Sequence, residues 1–160
     1  MIIKLNLTGT KEDWDYISQI KHLSEPFIKT HIKKVNLDQI SKFQNLSQAF
    51  IRMNAKILNW KFICEFQELD EDLIRDNLDK VNWHYISKNQ SLRTSFIREF
   101  QDELDWICIS ENQAVSLEFL REFKDRLKWK YVLRSHTLPE EWESEFRDYI
   151  IKEEDNGNIR

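Results

Sequence analysis

Residues 83–105, WHYISKNQSLRTSFIREFQDELD, run without a gap into residues 106–128, WICISENQAVSLEFLREFKDRLK, and the two stretches are variants of one 23-residue pattern. Working outward, the pattern leads at Trp14, Trp60, Trp83, Trp106 and Trp129, with Leu37 in the remaining slot, giving six repeats from Trp14 to Ile151. A fixed period over most of a chain predicts an array in which each repeat packs only on its neighbours.

Each repeat reads as a short helix A, a tight turn and a longer helix B. Asp13, Asn36, Asn59, Asn82 and Asp105 precede the lead position and are expected to cap helix A, because their side-chain oxygens can accept orphan first-turn amides; Lys128 breaks this pattern. Ile17, Ile63, Ile86 and Ile109, three residues on, share the Trp face. Leu23, Leu46, Leu69, Leu92, Val115 and Leu138 close the turn, Ser24, Ser47, Asp70 and Ser116 should cap helix B, and Pro139 suits its first turn. Phe96, Ile97, Phe100 and Leu104 form a stripe at helical spacing. A lone repeat buries too little apolar surface to offset its conformational entropy, so stacking must supply the difference. Ile28, Ile51, Ile74, Ile97 and Leu120 occupy one helix B position that becomes Glu143 in the last repeat, as a solvent-facing end requires. The expected fold is all-α: an α-solenoid of six helix-turn-helix repeats over 14–151. It is preceded by a cap segment, 1–13, in which Ile2, Ile3, Leu5 and Leu7 form a short strand or extended stretch, and followed by a mobile acidic tail, 152–160.

Composition agrees. Two glycines and two prolines in 160 residues are too few for an all-β chain with many turns. With 41% hydrophobic and 32% charged residues the chain is neither disordered nor membrane-spanning, and no apolar run approaches the ~18 residues of a spanning helix. The opening MIIKLNLTGT is too short and polar for a signal peptide. Cys64 and Cys108, with no CxxC spacing, read as reduced thiols, and the expected setting is intracellular.

The repeats also divide in two. The seventh position runs Ile20, Phe43, Phe66, then Asn89, Asn112, Ser135. A helix B position changes the other way, from His31, Asn54, Asn77 to Phe100, Phe123, Phe146. The reciprocal swap predicts two halves meeting near Asn82, with the two positions sharing one core pocket. Charge divides nearby: residues 1–61 carry 10 Lys/Arg against 5 Asp/Glu, a net of +5, and residues 62–160 carry 14 against 23, a net of −9.

Among candidate sites, Lys29, Arg52, Arg75, Arg98 and Arg121 form a column opposite the apolar stripe. Asp79, Asp102 and Asp125, four residues after the last three, are expected to pair with them as a solvated face. In the first two repeats the following residue is Lys33 or Lys56, so Lys29, Lys33, Lys34, Arg52 and Lys56 form the patch expected to bind a partner with an acidic surface. Gln44, Gln67, Gln90 and Gln113, with His136 last, could grip a peptide or base edge, but glutamines at a glycine-free turn are better explained as satisfying turn carbonyls. The tryptophans read as core residues. His22, His31, His84 and His136 show no ligand spacing, so no metal and no cofactor is expected. No phosphate loop, nucleophile elbow or HExxH is present, and no catalytic residue is assigned.

WHYISKNQ, FIREFQDEL, ISENQAV and FLREFKDRL carry a likeness: the pattern resembles tandem short-helical-hairpin repeats in uncharacterised proteins of large DNA viruses and bacteriophages. Repeat two (Leu37, Gln39) and repeat six (Leu133, His136, Glu143) depart from it. The resemblance concerns structural positions and implies a small viral scaffold, in the host cytoplasm, that blocks or recruits a host factor. The expectation is a non-enzymatic protein-binding module. A nucleic-acid-binding repeat using the basic first part is the alternative, opposed by the net of −9 beyond residue 61, and head-to-tail self-association is a third outcome.

Overall fold

The structure is a computed structural model and describes residues 9–20 and 22–155. Thirteen α-helices are the only regular elements among the described residues. They form two compact units that divide between Asn82 and Trp83, where the sequence halves were expected to meet. The N-terminal unit holds α1 (Lys11–Gln19), α2 (Glu25–Thr30), α3 (Leu37–Phe43), α4 (Gln48–Asn54), α5 (Trp60–Phe66) and α6 (Glu71–Arg75). The C-terminal unit holds α7 (Trp83–Asn89), α8 (Thr94–Glu99), α9 (Trp106–Asn112), α10 (Leu117–Phe123), α11 (Trp129–Ser135), α12 (Glu140–Glu145) and α13 (Arg147–Asp155). Within the first, α1 packs on α3 and α3 on α5; within the second, α7 packs on α9, α9 on α11 and α11 on α13. Each unit is therefore a three-repeat stack of helical hairpins.

Most of these helices have only five to seven residues, so about half of their backbone groups are end groups that need a partner outside their own helix. Three repeating devices supply them. In the first, the helix A serines Ser18, Ser41, Ser87 and Ser110 are fully buried. Each donates to the carbonyl four residues back, as Ser41 does to Leu37 at 2.7 Å. Each also accepts the cap amide of the next repeat: Asn36 on Ser18, Asn59 on Ser41, Asp105 on Ser87 and Lys128 on Ser110, at 2.9–3.2 Å. Cys64 takes this role in the third repeat, with its Sγ 3.4 Å from the Asn82 amide, and burial pushes its thiol pKa up.

In the second device, a buried glutamine clasps the turn of the repeat before it. Gln67 Nε2 donates to the Ser41 and Gln44 carbonyls at 3.0 and 2.8 Å, while its Oε1 accepts the Leu46 amide at 3.1 Å. Gln44 does the same for Ser18, Ile20 and Leu23, and Gln113 for Ser87, Gln90 and Leu92. The column satisfies turn carbonyls, and those carbonyls belong to the preceding repeat. In the third, the Trp60, Trp106 and Trp129 indole N–H groups donate to the carbonyls of Ala55, Gln101 and Lys124, five residues back, which fastens each helix A to the turn that delivers it. Among the described residues no buried side-chain nitrogen or oxygen lacks a partner.

The apolar core follows the expected columns. Ile28, Ile51, Ile74, Ile97 and Leu120 are buried, and Glu143 is exposed. Ser24, Ser47, Asp70 and Ser116 cap helix B, and Asn36, Asn59 and Asp105 cap helix A. Several expectations need correction. Helix B is not the longer of each pair: it has five to seven residues against seven to nine in helix A, because the chain leaves the helix early in a hydrogen-bonded turn. Asp13 does not cap the first helix: α1 begins a turn earlier, inside the expected cap segment, because Thr10 and Asp13 close a reciprocal capping box. Pro139 is the N-cap of α12 rather than a residue of its first turn. In repeats one to five, helix B ends in a hydrogen-bonded turn leading to the next repeat; in repeat six that turn continues as α13 to Asp155, its Tyr149 ring 6.1 Å from Trp129. Tyr149 and Ile150 of α13 pack against the apolar core of this unit. The strand or extended cap expected at Ile2, Ile3, Leu5 and Leu7 lies outside the described residues, as do residues 156–160 of the expected tail.

The shared-pocket expectation fails. Phe43 and Phe66 are exposed and line a surface groove with His22, Lys42 and Asn45, whereas the reciprocal helix B positions belong to the tryptophan side. There Phe100, Phe123 and Phe146 pack on Trp83, Trp106 and Trp129 at 5.1, 5.3 and 4.8 Å. In the N-terminal unit His31 stacks on Trp14 at 5.2 Å, and Asn54 and Asn77 turn back to the carbonyls of Phe50 and Leu73. The two sets change at one boundary without touching one pocket.

Candidate functional site

The five basic residues singled out from the sequence fall on α2, α4 and the turns that follow them. Lys29 and Arg52 occupy equivalent positions on α2 and α4; Lys33 and Lys56 are equivalent in the two turns, and Lys34 adjoins Lys33. All five are exposed, but they are not alike. Arg52 is engaged: its guanidinium meets Asp70 at 2.9 Å and also Asp76. The Lys34 ammonium lies 5.5 Å from the Trp14 ring centroid, a cation–π contact. No ion pair among the described residues involves Lys29, Lys33 or Lys56.

The difference arises from a ladder that the helical i,i+4 rule did not anticipate. Arg98 and Arg121 do not pair with Asp102 and Asp125, because α8 and α10 end before those aspartates and the helical register is lost. Instead each arginine reaches the next repeat, 24 residues on: Arg98 grips Glu122 in a two-point pair at 2.5 and 2.8 Å, and Arg121 grips Glu145 at 2.6 and 2.8 Å. The guanidinium hydrogen bond holds each glutamate below its ordinary pKa and raises its arginine's. Arg52 to Asp76 is the same rung in the N-terminal unit. Arg75 pairs within its own helix, with Asp72 and Glu71, rather than with Asp79. From Lys29 the same step leads to Met53, which is 69% exposed. Lys33 and Lys56 stand at one position in adjacent repeats, and both are exposed.

Exposed apolar residues concentrate in the same unit. Met53, Ile57 and Leu78 stand on the helix B side, with Met53 and Ile57 beside Arg52, Asn54 and Lys56 along a shallow groove. On the helix A side, Lys42 lies over the Phe43, Phe62 and Phe66 rings at 5.1, 5.9 and 5.3 Å. Single-residue reading missed this cluster because Phe43 and Phe66 were assigned to the core.

A second feature lies in the C-terminal unit. His84 Nδ1 is 2.8 Å from Asp105 Oδ2 and 3.6 Å from Cys108 Sγ, and the three potential ligand atoms lie within 4.8 Å of one another. Asp105 Oδ1 meanwhile accepts the Ile107 and Cys108 amides at 3.0 and 3.3 Å as the α9 cap. Burial pushes the Asp105 carboxyl up, but the hydrogen bonds from His84 and those amides outweigh it and leave its pKa lowered. Burial, reinforced by the Asp105 charge, drives the Cys108 thiol up to about 11. This is not a nucleophile arrangement: carboxylate and thiol face the same ring nitrogen, so the imidazole cannot relay a proton between them, and the thiol is deactivated. The histidine reading found no ligand spacing because the three residues are one repeat apart, 21 and 24 positions from His84. Aligning adjacent repeats, rather than scanning for short motifs, would have placed them together.

Both cysteines are free, and among the described residues no helix is long and apolar enough to cross a membrane. No protein-family model matches the chain, and neither a curated protein nor a solved structure matches it.

Proposed function

We propose that the protein is a non-catalytic scaffold that binds an acidic surface of another protein through Lys29, Lys33 and Lys56 of its N-terminal unit, with Met53 and Ile57 as the apolar centre of the contact. The observation that carries this reading is the broken rung at Lys29. Where Arg52, Arg98 and Arg121 meet a carboxylate of the next repeat, the residue that stands 24 positions on from Lys29 is the exposed Met53, which offers no carboxylate. An exposed methionine beside uncompensated lysines combines an adaptable apolar surface with charge to steer an acidic partner. Arg52 keeps the neighbouring repeats in register through Asp70 and Asp76, and Lys34 stays on Trp14; neither is assigned to the contact. The likeness of the repeats to those of viral and phage proteins supports an intracellular role in which the scaffold blocks or recruits a host factor.

The test is affinity capture with the full chain, comparing the parent with a Lys29→Glu, Lys33→Glu, Lys56→Glu variant and with an Arg134→Glu control in the other unit. The expected result is a captured protein lost from the triple variant and kept by the control, with the helical CD signal unchanged in both. Undiminished capture by the folded triple variant removes this surface. Salt-sensitive retention of single-stranded or duplex nucleic acid in filter binding, abolished by the same reversals, replaces the protein partner with a nucleic acid.

A further inference from the structure

We propose that His84, Asp105 and Cys108 form a three-ligand site for a divalent metal of the zinc class, with the fourth position open to solvent. Imidazole nitrogen, carboxylate oxygen and thiolate sulfur are the three donor types that zinc takes from proteins, and three protein ligands with an open position is its usual non-structural arrangement. Zinc bonds of about 2.0–2.3 Å place tetrahedral neighbours roughly 3.3–3.8 Å apart. The sulfur–nitrogen separation is already 3.6 Å. The nitrogen–oxygen separation of 2.8 Å is a hydrogen bond that the metal replaces, the His84 ring is exposed, and all three donor atoms lie within 4.8 Å of one another. Asp105 is held for the task from behind. Its Oδ1 is fixed by two backbone amides, which leaves Oδ2 as a single, oriented ligand atom.

The contact between His84 and Asp105 stands where Asn36 donates to Asp15 and Asn59 to Asp38 across earlier repeats, so the fold uses a hydrogen bond there but does not dictate these particular side chains. The Asp105 position is Asn36 and Asn59 in earlier repeats, which cap equally well. The Cys108 position carries Tyr16, Gln39, Phe62, Tyr85 or Tyr131, and the His84 position carries Asp15, Asp38, Lys61, Ile107 or Lys130, so packing imposes neither a thiol nor an imidazole. The other charges felt by the thiol are Lys88 and Glu111, one of each sign. On binding, the Cys108 S–H bond breaks, the sulfur–metal bond forms and that proton leaves to solvent. The His84 Nδ1–H bond also breaks, its proton leaving to solvent while the neutral ring takes one up at the exposed Nε2, so the net release is the thiol proton and affinity rises with pH.

The experiment titrates Co2+ into the full chain under a non-chelating reductant and then displaces it with Zn2+. The expected result is one equivalent of Co2+, with a thiolate-to-cobalt charge-transfer band and the intense visible absorption of a tetrahedral site, bleached by Zn2+. The band should be absent in Cys108→Ser and kept in Cys64→Ser. Affinity should fall at least about tenfold in His84→Gln and Asp105→Asn, since even the loss of an outer-shell partner costs about 10–100-fold. Asp105→Asn preserves the helix cap, so it remains informative if Cys108→Ser perturbs the fold. No band in the parent together with silent Zn2+ calorimetry overturns the proposal, as does a band that survives Cys108→Ser or is indifferent to His84 and Asp105.

Discussion

The two units share one polar framework and use their aromatic residues in opposite ways. In the C-terminal unit Phe100, Phe123 and Phe146 lie against the tryptophans, and Arg98 and Arg121 are locked to Glu122 and Glu145. In the N-terminal unit the tryptophan side is finished with His31, Asn54 and Asn77, Phe43 and Phe66 stand at the surface under Lys42, and Met53 stands where the first rung would need a carboxylate. The serine and glutamine ladders are the same in both. What must be kept from repeat to repeat is therefore the satisfaction of backbone groups between short helices. The ring over the tryptophan and the residue at the outer end of helix A can vary, and one unit has used that latitude for packing and the other for surface.

Removing one phenylalanine from each unit is the most severe test of this contrast. Phe123→Ala is expected to cost about 3–5 kcal/mol, because it empties a buried site against Trp106, whereas Phe66→Ala, at a side chain 45% exposed, should stay within about 0.5 kcal/mol. Equal losses in urea unfolding would erase the distinction. Next in size, Gln67→Leu and Gln113→Leu should each cost about 1–3 kcal/mol by stranding a turn amide and two carbonyls, and the two costs should match. A large mismatch would mean that the framework is not common to both units. Smaller still, Cys64→Ser restores the hydroxyl used by the other repeats and is expected to be neutral or stabilising by up to about 1 kcal/mol near neutral pH. It carries a pH signature. The folded state raises the Cys64 pKa, so it keeps a proton that the unfolded chain releases; that stability is full below the ordinary 9.0 and declines as pH rises through the folded value. Serine does not titrate, so the alkaline decline should be shallower in the variant. An unchanged alkaline limb would contradict it. The smallest effect belongs to Arg98→Gln, an exposed rung whose loss should be detectable at low salt and vanish as salt is raised.

The period and the apolar columns were legible because 23 residues returned the same types at the same places, and the boundary near Asn82 could be read from the reciprocal swap. Its meaning could not. A change from Phe43 and Phe66 to Asn89 and Asn112 looks like lost core bulk until exposure is known, and a linear pattern does not distinguish two faces that change together. The arginine rungs were misassigned for a related reason: i,i+4 pairing presumes that the helix continues, and α8 ends at Glu99. The His84 cluster was hidden by distance along the chain, although each member holds a definable repeat position.

Leu133 occupies the place of the bonding serine, and Glu143 that of the buried isoleucine or leucine. A further copy of the motif grafted after Ile151 would find no hydroxyl to take its first amide and a carboxylate where it needs a greasy contact. Lengthening by duplication is therefore open to the interior of the array and closed at repeat six, which makes that repeat the natural place to fuse a tag or a second module without seeding runaway stacking.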